Sequence, residues 1–197
     1  MKTRRCEHEP CGQHLGARHA HNARYCSGRC RTAACRARKT VPAIPSELTS
    51  RARWIRRTER KVPVTVDGQP ASSTAPQTWS PHRAAASSTT GAGLGFVLNG
   101  DGIACVDLDH CIVDGQLAGW ARRLVDLAPG CWIERSVSGD GLHIWGFGRL
   151  ERGRRLSVDG GSVELYADGR YIAVTGDTWG DTPRRLGDLS GLIDALL

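Results

Sequence analysis

No apolar run in the 197 residues approaches the roughly 20 needed to span a bilayer. The opening residues, MKTRRCEHEP, are charged and polar, so a secretory leader is not expected either. The expectation is a protein of the cytoplasm with no membrane partner. No internal repeat is seen. Acidic residues are scarce in the first third: up to Lys61 there are 4 Asp or Glu against 16 Lys or Arg, a charge of +12. The remainder carries 11 basic against 16 acidic residues, −5, so the overall +7 conceals a division. A chain polarised in this way suggests a polyanion, nucleic acid above all, near its N-terminal end. With 40% apolar and 24% charged residues the composition is that of a folded protein. Its length suits one ordinary domain and a small accessory module.

Cysteine is unevenly distributed. Cys6, Cys11, Cys26, Cys30 and Cys35 crowd the first 35 residues, while Cys105, Cys111 and Cys131 lie in apolar surroundings and are expected to pack as small hydrophobes. In a reducing compartment the N-terminal group points to metal rather than disulfides. In CEHEPCGQHLGARHAHNARYCSGRCRTAACRARK, the pairs Cys6/Cys11 and Cys26/Cys30 offer four thiolates to one structural zinc, a staple for a segment too short to have a core. His8, His14, His19 and His21 are alternative ligands, and Cys35, on a basic helix-like tail, is a bystander. The segment is similar to small four-cysteine fingers with an RYCS..CR second knuckle found on bacterial and phage mobile-element proteins, although its first knuckle is wider. The expected organisation is a finger with basic tail over 1–40, a Pro-containing linker over 41–50 and a main body over 51–197.

In the body, WSPHRAAASS reads as a short helix capped by Ser80 with Pro81 at its first position. Strands are expected around Leu94–Leu98, within GIACVDLDHC (Gly102 to Cys111) after a turn over Asn99 to Gly102, and around Trp132–Arg135, Leu142–Phe147, Val163–Tyr166 and Tyr171–Thr175, with Ala167-Asp168-Gly169 as a tight turn between the last two. Leu117, Trp120, Ala121 and Leu124 have helical spacing, as do Leu189, Leu192, Ile193 and Leu196. The class is α+β.

GIACVDLDHC sets two carboxylates, Asp107 and Asp109, on one face of an otherwise apolar strand, in the row of Ile103 and Cys105. Two like charges so close would drive a proton onto one of them unless a cation intervened. Glu164 stands within another apolar strand, on the face opposite Val163 and Leu165. In SVSGDGLHIW a Gly-punctuated polar turn runs into the strand that bears His143 and Trp145.

The order DxD, SxSGxGLH, ELY resembles the catalytic motifs of the archaeo-eukaryotic primase superfamily, specifically the primase-polymerase domain of phages and plasmids. The resemblance runs from about Arg51 to Asp181. It takes in RWIRRTERKVPVTVDGQPASSTAPQTWS, GLGFVLNGDGIACVDLDHC, SVSGDGLHIW and VELYADGRYIAVTG. The lead-in lacks a second aromatic after RWI, and an Ala-Cys step precedes Val106. The resemblance implies a primase-polymerase core with an RNA-recognition-like palm sheet, preceded by the zinc finger. It assigns Asp107, Asp109 and Glu164 to two magnesium or manganese ions, and His143, with Ser136 and Ser138, to the triphosphate of an incoming NTP or dNTP. Lys61, Arg170 and the RGRR run over 152–155 are further candidates for phosphate or template, and Tyr171 for a base or sugar. Such a pair of ions can acidify an attacking 3′-hydroxyl and neutralise departing pyrophosphate, and carboxylates are their natural ligands. A single-stranded DNA template, a separate replicative helicase and a bacterial host cytoplasm are implied as partners and setting. Two other readings are a non-catalytic DNA-binding replication module on the same scaffold and a DxD glycosyltransferase. The second explains neither the finger nor the basic first third.

Overall fold

The computed structural model describes residues 4–8, 11–20, 22–40 and 44–197, with side chains throughout except at 35–40. His21 and the side chain of Cys35 therefore lie outside the described residues. The chain forms two compact units, Met1–Pro42 and Ala43–Leu197. Among the described residues no helix is long and apolar enough to cross a membrane.

The first unit is a tight loop followed by helix α1 (Gly28–Thr40). Backbone bonds Cys6 N to Gln13 O (2.8 Å) and Leu15 N to Arg4 O (2.9 Å) fold the segment back on itself. Ser27 Oγ accepts from Cys30 N at 3.2 Å and so caps α1. Only Cys6, Leu15 and Ala34 are buried among its described apolar side chains, far too few for a core. This unit needs a staple.

In the second unit helix α2 (Ser46–Thr49) precedes strands β1 (Trp54–Arg57) and β2 (Pro63–Val64), helix α3 (His82–Ser87), and strands β3 (Gly93–Asn99) and β4 (Ile103–Asp109). A hairpin, β5 (Ile112–Val113) with β6 (Gln116–Leu117), leads to helix α4 (Gly119–Asp126). Then come β7 (Trp132–Arg135), β8 (Leu142–Phe147), β9 (Arg154–Val158), β10 (Gly161–Tyr166), β11 (Asp168–Val174), β12 (Gly187–Asp188) and helix α5 (Ser190–Leu196). The class is α+β, with mostly antiparallel sheets.

One sheet has four strands in the order β11-β3-β1-β2; the other has six, β12-β8-β4-β10-β9 with β7 also paired to β8. Two apolar clusters follow from strand alternation. Ala104, Val106, Leu108, Ile133, Leu142, Ile144, Val163 and Leu165 face helices α4 and α5. Ile103, Cys105, Trp132 and Trp145 project from the other face of the six-stranded sheet and meet Trp54, Phe96, Leu98, Ile172 and Val174 of the four-stranded one. Layers of helix, sheet and sheet result. Cys105, Cys111 and Cys131 are buried, as expected of small hydrophobes.

Three local expectations are corrected. Ser80 does not cap α3: its hydroxyl donates to Trp54 O and its backbone bridges to β1, so Pro81 takes the cap position. Ala167-Asp168-Gly169 is not a hairpin turn. β10 pairs with β4 and β9, whereas β11 pairs with β3, so the chain crosses from one sheet to the other there. The stretch 41–50, expected as linker, is built into the body from Ile44 onward. Leu48 is fully buried, and Glu47 accepts from Leu186 N at 3.1 Å.

Candidate active site

Strand register builds the site. Arg155, Glu164, Asp107, His143 and Glu134 are successive cross-strand partners over β9, β10, β4, β8 and β7. Five ionisable side chains thus form one row across the sheet, at the edge of the row that contains Cys105, Trp145 and Trp132. One step beyond, Asp109 pairs with Ser162, and Gly141, just before β8, brings no side chain. Directly opposite residues in a ladder have Cβ atoms about 5 Å apart, so Glu164 and His143 both flank Asp107.

Asp107, Asp109, His143, Glu164 and Tyr166 form one wall of a cleft of about 520 Å³. Gly169, Arg170, Tyr171, Ile172 and Ala173 of β11 form the other, and Lys61, Pro63 and Ser73 complete the lining. Tyr171 packs over Gly95, where an added Cβ would stand 2.7 Å from its ring, and its hydroxyl donates to Lys61 O. Lys61 stands in a left-handed turn at φ 58°, closed by its own N–H to Thr58 O at 3.0 Å. Arg170 lies over the Tyr166 ring, 4.8 Å from its centroid.

Electrostatics reflect the crowding. Burial pushes the Asp107 carboxyl above its ordinary value and Asp109 and Glu164 add to this, while His143 and Lys61 oppose it. For His143 burial works downward, but the hydrogen bond to Glu134 and the charges of Asp107 and Glu134 outweigh it and leave the imidazole raised. Its Nε2 lies 3.7 Å from Asp107 Oδ1 and its Nδ1 3.1 Å from Glu134 Oε1. Glu164 is held from both sides: Tyr166 Oη donates to Oε2 at 2.8 Å and Arg155 Nε stands 3.4 Å from Oε1.

The candidates read from the sequence fall into two groups. Asp107, Asp109, Glu164, His143, Lys61, Arg170 and Tyr171 come together in the cleft. Ser136 and Ser138 do not line it. They sit on the turn after β7, with Ser136 Oγ and Ser138 Oγ 3.0 Å apart and Ser138 donating to Asp140, so any contact with a ligand there would require those bonds to reorganise. Glu134 and Tyr166 were missed. The signal for Glu134 was present, a carboxylate alternating with apolar neighbours in WIER, as Glu164 does in VELY.

In the first unit the sulfur atoms of Cys6, Cys11, Cys26 and Cys30 all lie within 4.8 Å of one another. Cys11–Cys26 and Cys26–Cys30 are 3.6 and 3.5 Å apart, near the spacing of about 3.8 Å that a tetrahedron of 2.3 Å zinc–sulfur bonds requires. No described histidine joins this group. Among the described residues it is the sole set drawn so close; the three carboxylates of the cleft stand more widely spread. Their all-oxygen donor set suits hard cations, whose charge would offset the repulsion between them.

An α+β body whose cleft joins three carboxylates to a histidine, a lysine and an arginine could receive hard cations and a polyphosphate together. Among proteins of known activity, the chain is similar to a DNA primase-polymerase of Nitratiruptor phage NrS-1, 34% identical over 152 residues, 71% of this chain and 21% of the relative. The chain thus matches about a fifth of that relative's length. No family model matches it.

Proposed function

We propose that the second unit is a primase-polymerase catalytic core that joins nucleotides on a single-stranded DNA template by two-metal nucleotidyl transfer, in replication of a phage or other mobile element. The six-stranded sheet is its palm, of RNA-recognition type. The observation that carries this reading is the row Glu164–Asp107–His143 across three adjacent strands, with Asp109 beside it, in a cleft of nucleotide size. The similarity to a phage primase-polymerase supports the same assignment.

Asp107, Asp109 and Glu164 would hold two magnesium or manganese ions, which supply acidification of the 3′-hydroxyl and neutralisation of the leaving pyrophosphate. His143 presents Nε2 to the triphosphate, and Lys61 and Arg170 add positive charge along it. Tyr166 and Arg155 keep Glu164 turned toward the cleft. Tyr171, fixed over Gly95, shapes the wall for base or sugar. Ser136 and Ser138 reach the phosphates only after releasing their present bonds. In the first unit Cys6, Cys11, Cys26 and Cys30 hold one zinc, and the exposed arginines of α1 engage the template backbone. A separate helicase supplies unwound template.

The test is primer synthesis and extension on single-stranded circles, with ribo- and deoxynucleotide sets in parallel. Wild-type protein forms products with magnesium or manganese, and D107A and D109A form none while retaining the wild-type circular dichroism spectrum. Product formation by either variant refutes the assignment.

A further inference from the structure

Glu134 is the one acidic residue fully buried among the described residues. A carboxylate out of water is costly unless hydrogen bonds replace its hydration. Here four do. Oε1 accepts from His143 Nδ1 and Trp145 Nε1, both at 3.1 Å. Oε2 accepts from Thr175 N at 2.9 Å and Gly176 N at 2.8 Å; Thr175 Oγ1 lies 3.0 Å away, but its single proton has a nearer acceptor in Arg135 O at 2.7 Å. Glu134 does not line the cleft, and of its donors only His143 does.

The two nitrogens of His143 therefore face different surroundings. Nδ1 points back into a closed network of donors around one carboxylate; Nε2 points forward, 3.7 Å from Asp107. An imidazole whose Nδ1–H is given to a fixed carboxylate has its tautomer and ring plane set by that bond. Trp145 meets the ring edge-on, with centroids 6.5 Å apart at 90°, and its indole N–H shares the Oε1 acceptor. Thr175 and Gly176 follow directly on β11, which forms the opposite wall. One buried carboxylate thus ties the histidine strand to the exit of the facing strand.

We propose that Glu134 is a positioning residue: it keeps a proton on His143 Nδ1 and holds the ring so that Nε2 is the nitrogen offered to the cleft. The effect on triphosphate binding rests on the function proposed above; the effect on His143 does not.

The experiment uses the full chain labelled with 15N-histidine, with His143 assigned through H143N, and reads the protonation of each ring nitrogen from long-range 15N–1H spectra. Nδ1 of His143 is expected protonated in the wild type, and E134Q is expected to disperse that state, since the amide brings a donor into a site already filled with donors. Binding of dATP with manganese is measured alongside, and a weakening of roughly tenfold or more is expected for E134Q. T175V removes a hydroxyl that lies between the same carboxylate and Arg135 O. It is expected to lower the melting temperature while leaving both the His143 signature and dATP affinity as in the wild type. An unprotonated Nδ1 in the wild type overturns the proposal even if E134Q fails to fold. So does an E134Q protein with unchanged His143 signals, or a T175V protein that alters them as E134Q does. A dispersed signature with unchanged dATP affinity upholds the positioning role and removes His143 from the phosphate contacts instead.

Discussion

Glu164 of β10 stands directly opposite Asp107 of β4, and its carboxylate is held by Tyr166 and Arg155. Two acids facing each other across a ladder destabilise it unless a cation lies between them. Magnesium or manganese should therefore raise the melting temperature of the wild type. A ligand at 100 times its Kd contributes about 2.7 kcal/mol. D107N and E164Q should lose this increment, and in chelator D107N should melt no lower than the wild type, because a desolvated carboxyl beside two like charges has gone. Equal stabilisation of wild type and D107N by manganese would separate the ions from these acids.

Tyr171 occupies the space that a side chain on Gly95 would need: an added Cβ would lie 2.7 Å from its ring and 3.1 Å from Ile55. G95A should lower stability by about 1–3 kcal/mol through overpacking. It should also weaken nucleotide binding, because the displaced tyrosine gives up its bond to Lys61 O. Denaturant melts and nucleotide titrations check the two effects. An unchanged midpoint would show that the ring moves freely.

One zinc per chain is expected, lost in C26S and C30S, as elemental analysis would show. All six tryptophans lie beyond residue 43, in the unit with its own apolar clusters. Stripping zinc with a chelator should unfold the first unit while tryptophan emission stays unchanged. A zinc content unaffected by both substitutions would refute the four-thiolate site.

Arg29 and Arg31 are exposed on α1. If they contact template phosphates, affinity for single-stranded DNA should fall steeply with salt. R29Q/R31Q should reduce the log–log slope by about 1.4, since each phosphate contact on a single strand contributes about 0.7. An unaltered slope would remove α1 from the interface.

Much of this molecule was legible because side-chain direction is a local property. Alternation alone put Asp107 and Asp109 in the row of Ile103 and Cys105, and set Glu164 against Val163 and Leu165. β7 and β8 have the bounds their apolar residues imply. Short elements were harder. β9, with the exposed Arg155 and Ser157, carries little apolar signal and owes its place to the ladder with β10. The Asp159-Gly160 turn joining them, with φ of 48° and 83°, was its clearest trace.

Sequence by itself determined the four closely spaced N-terminal thiols, the α+β class and which face of its strand each acid occupies, because spacing and side-chain periodicity are read along the chain. Tertiary structure alone decided that β4 lies between β8 and β10, that β11 leaves for the other sheet, and that Glu134 stands behind His143. Strand order is chosen by burial and hydrogen bonding summed over residues far apart in the chain. No local pattern of side chains encodes which neighbour wins.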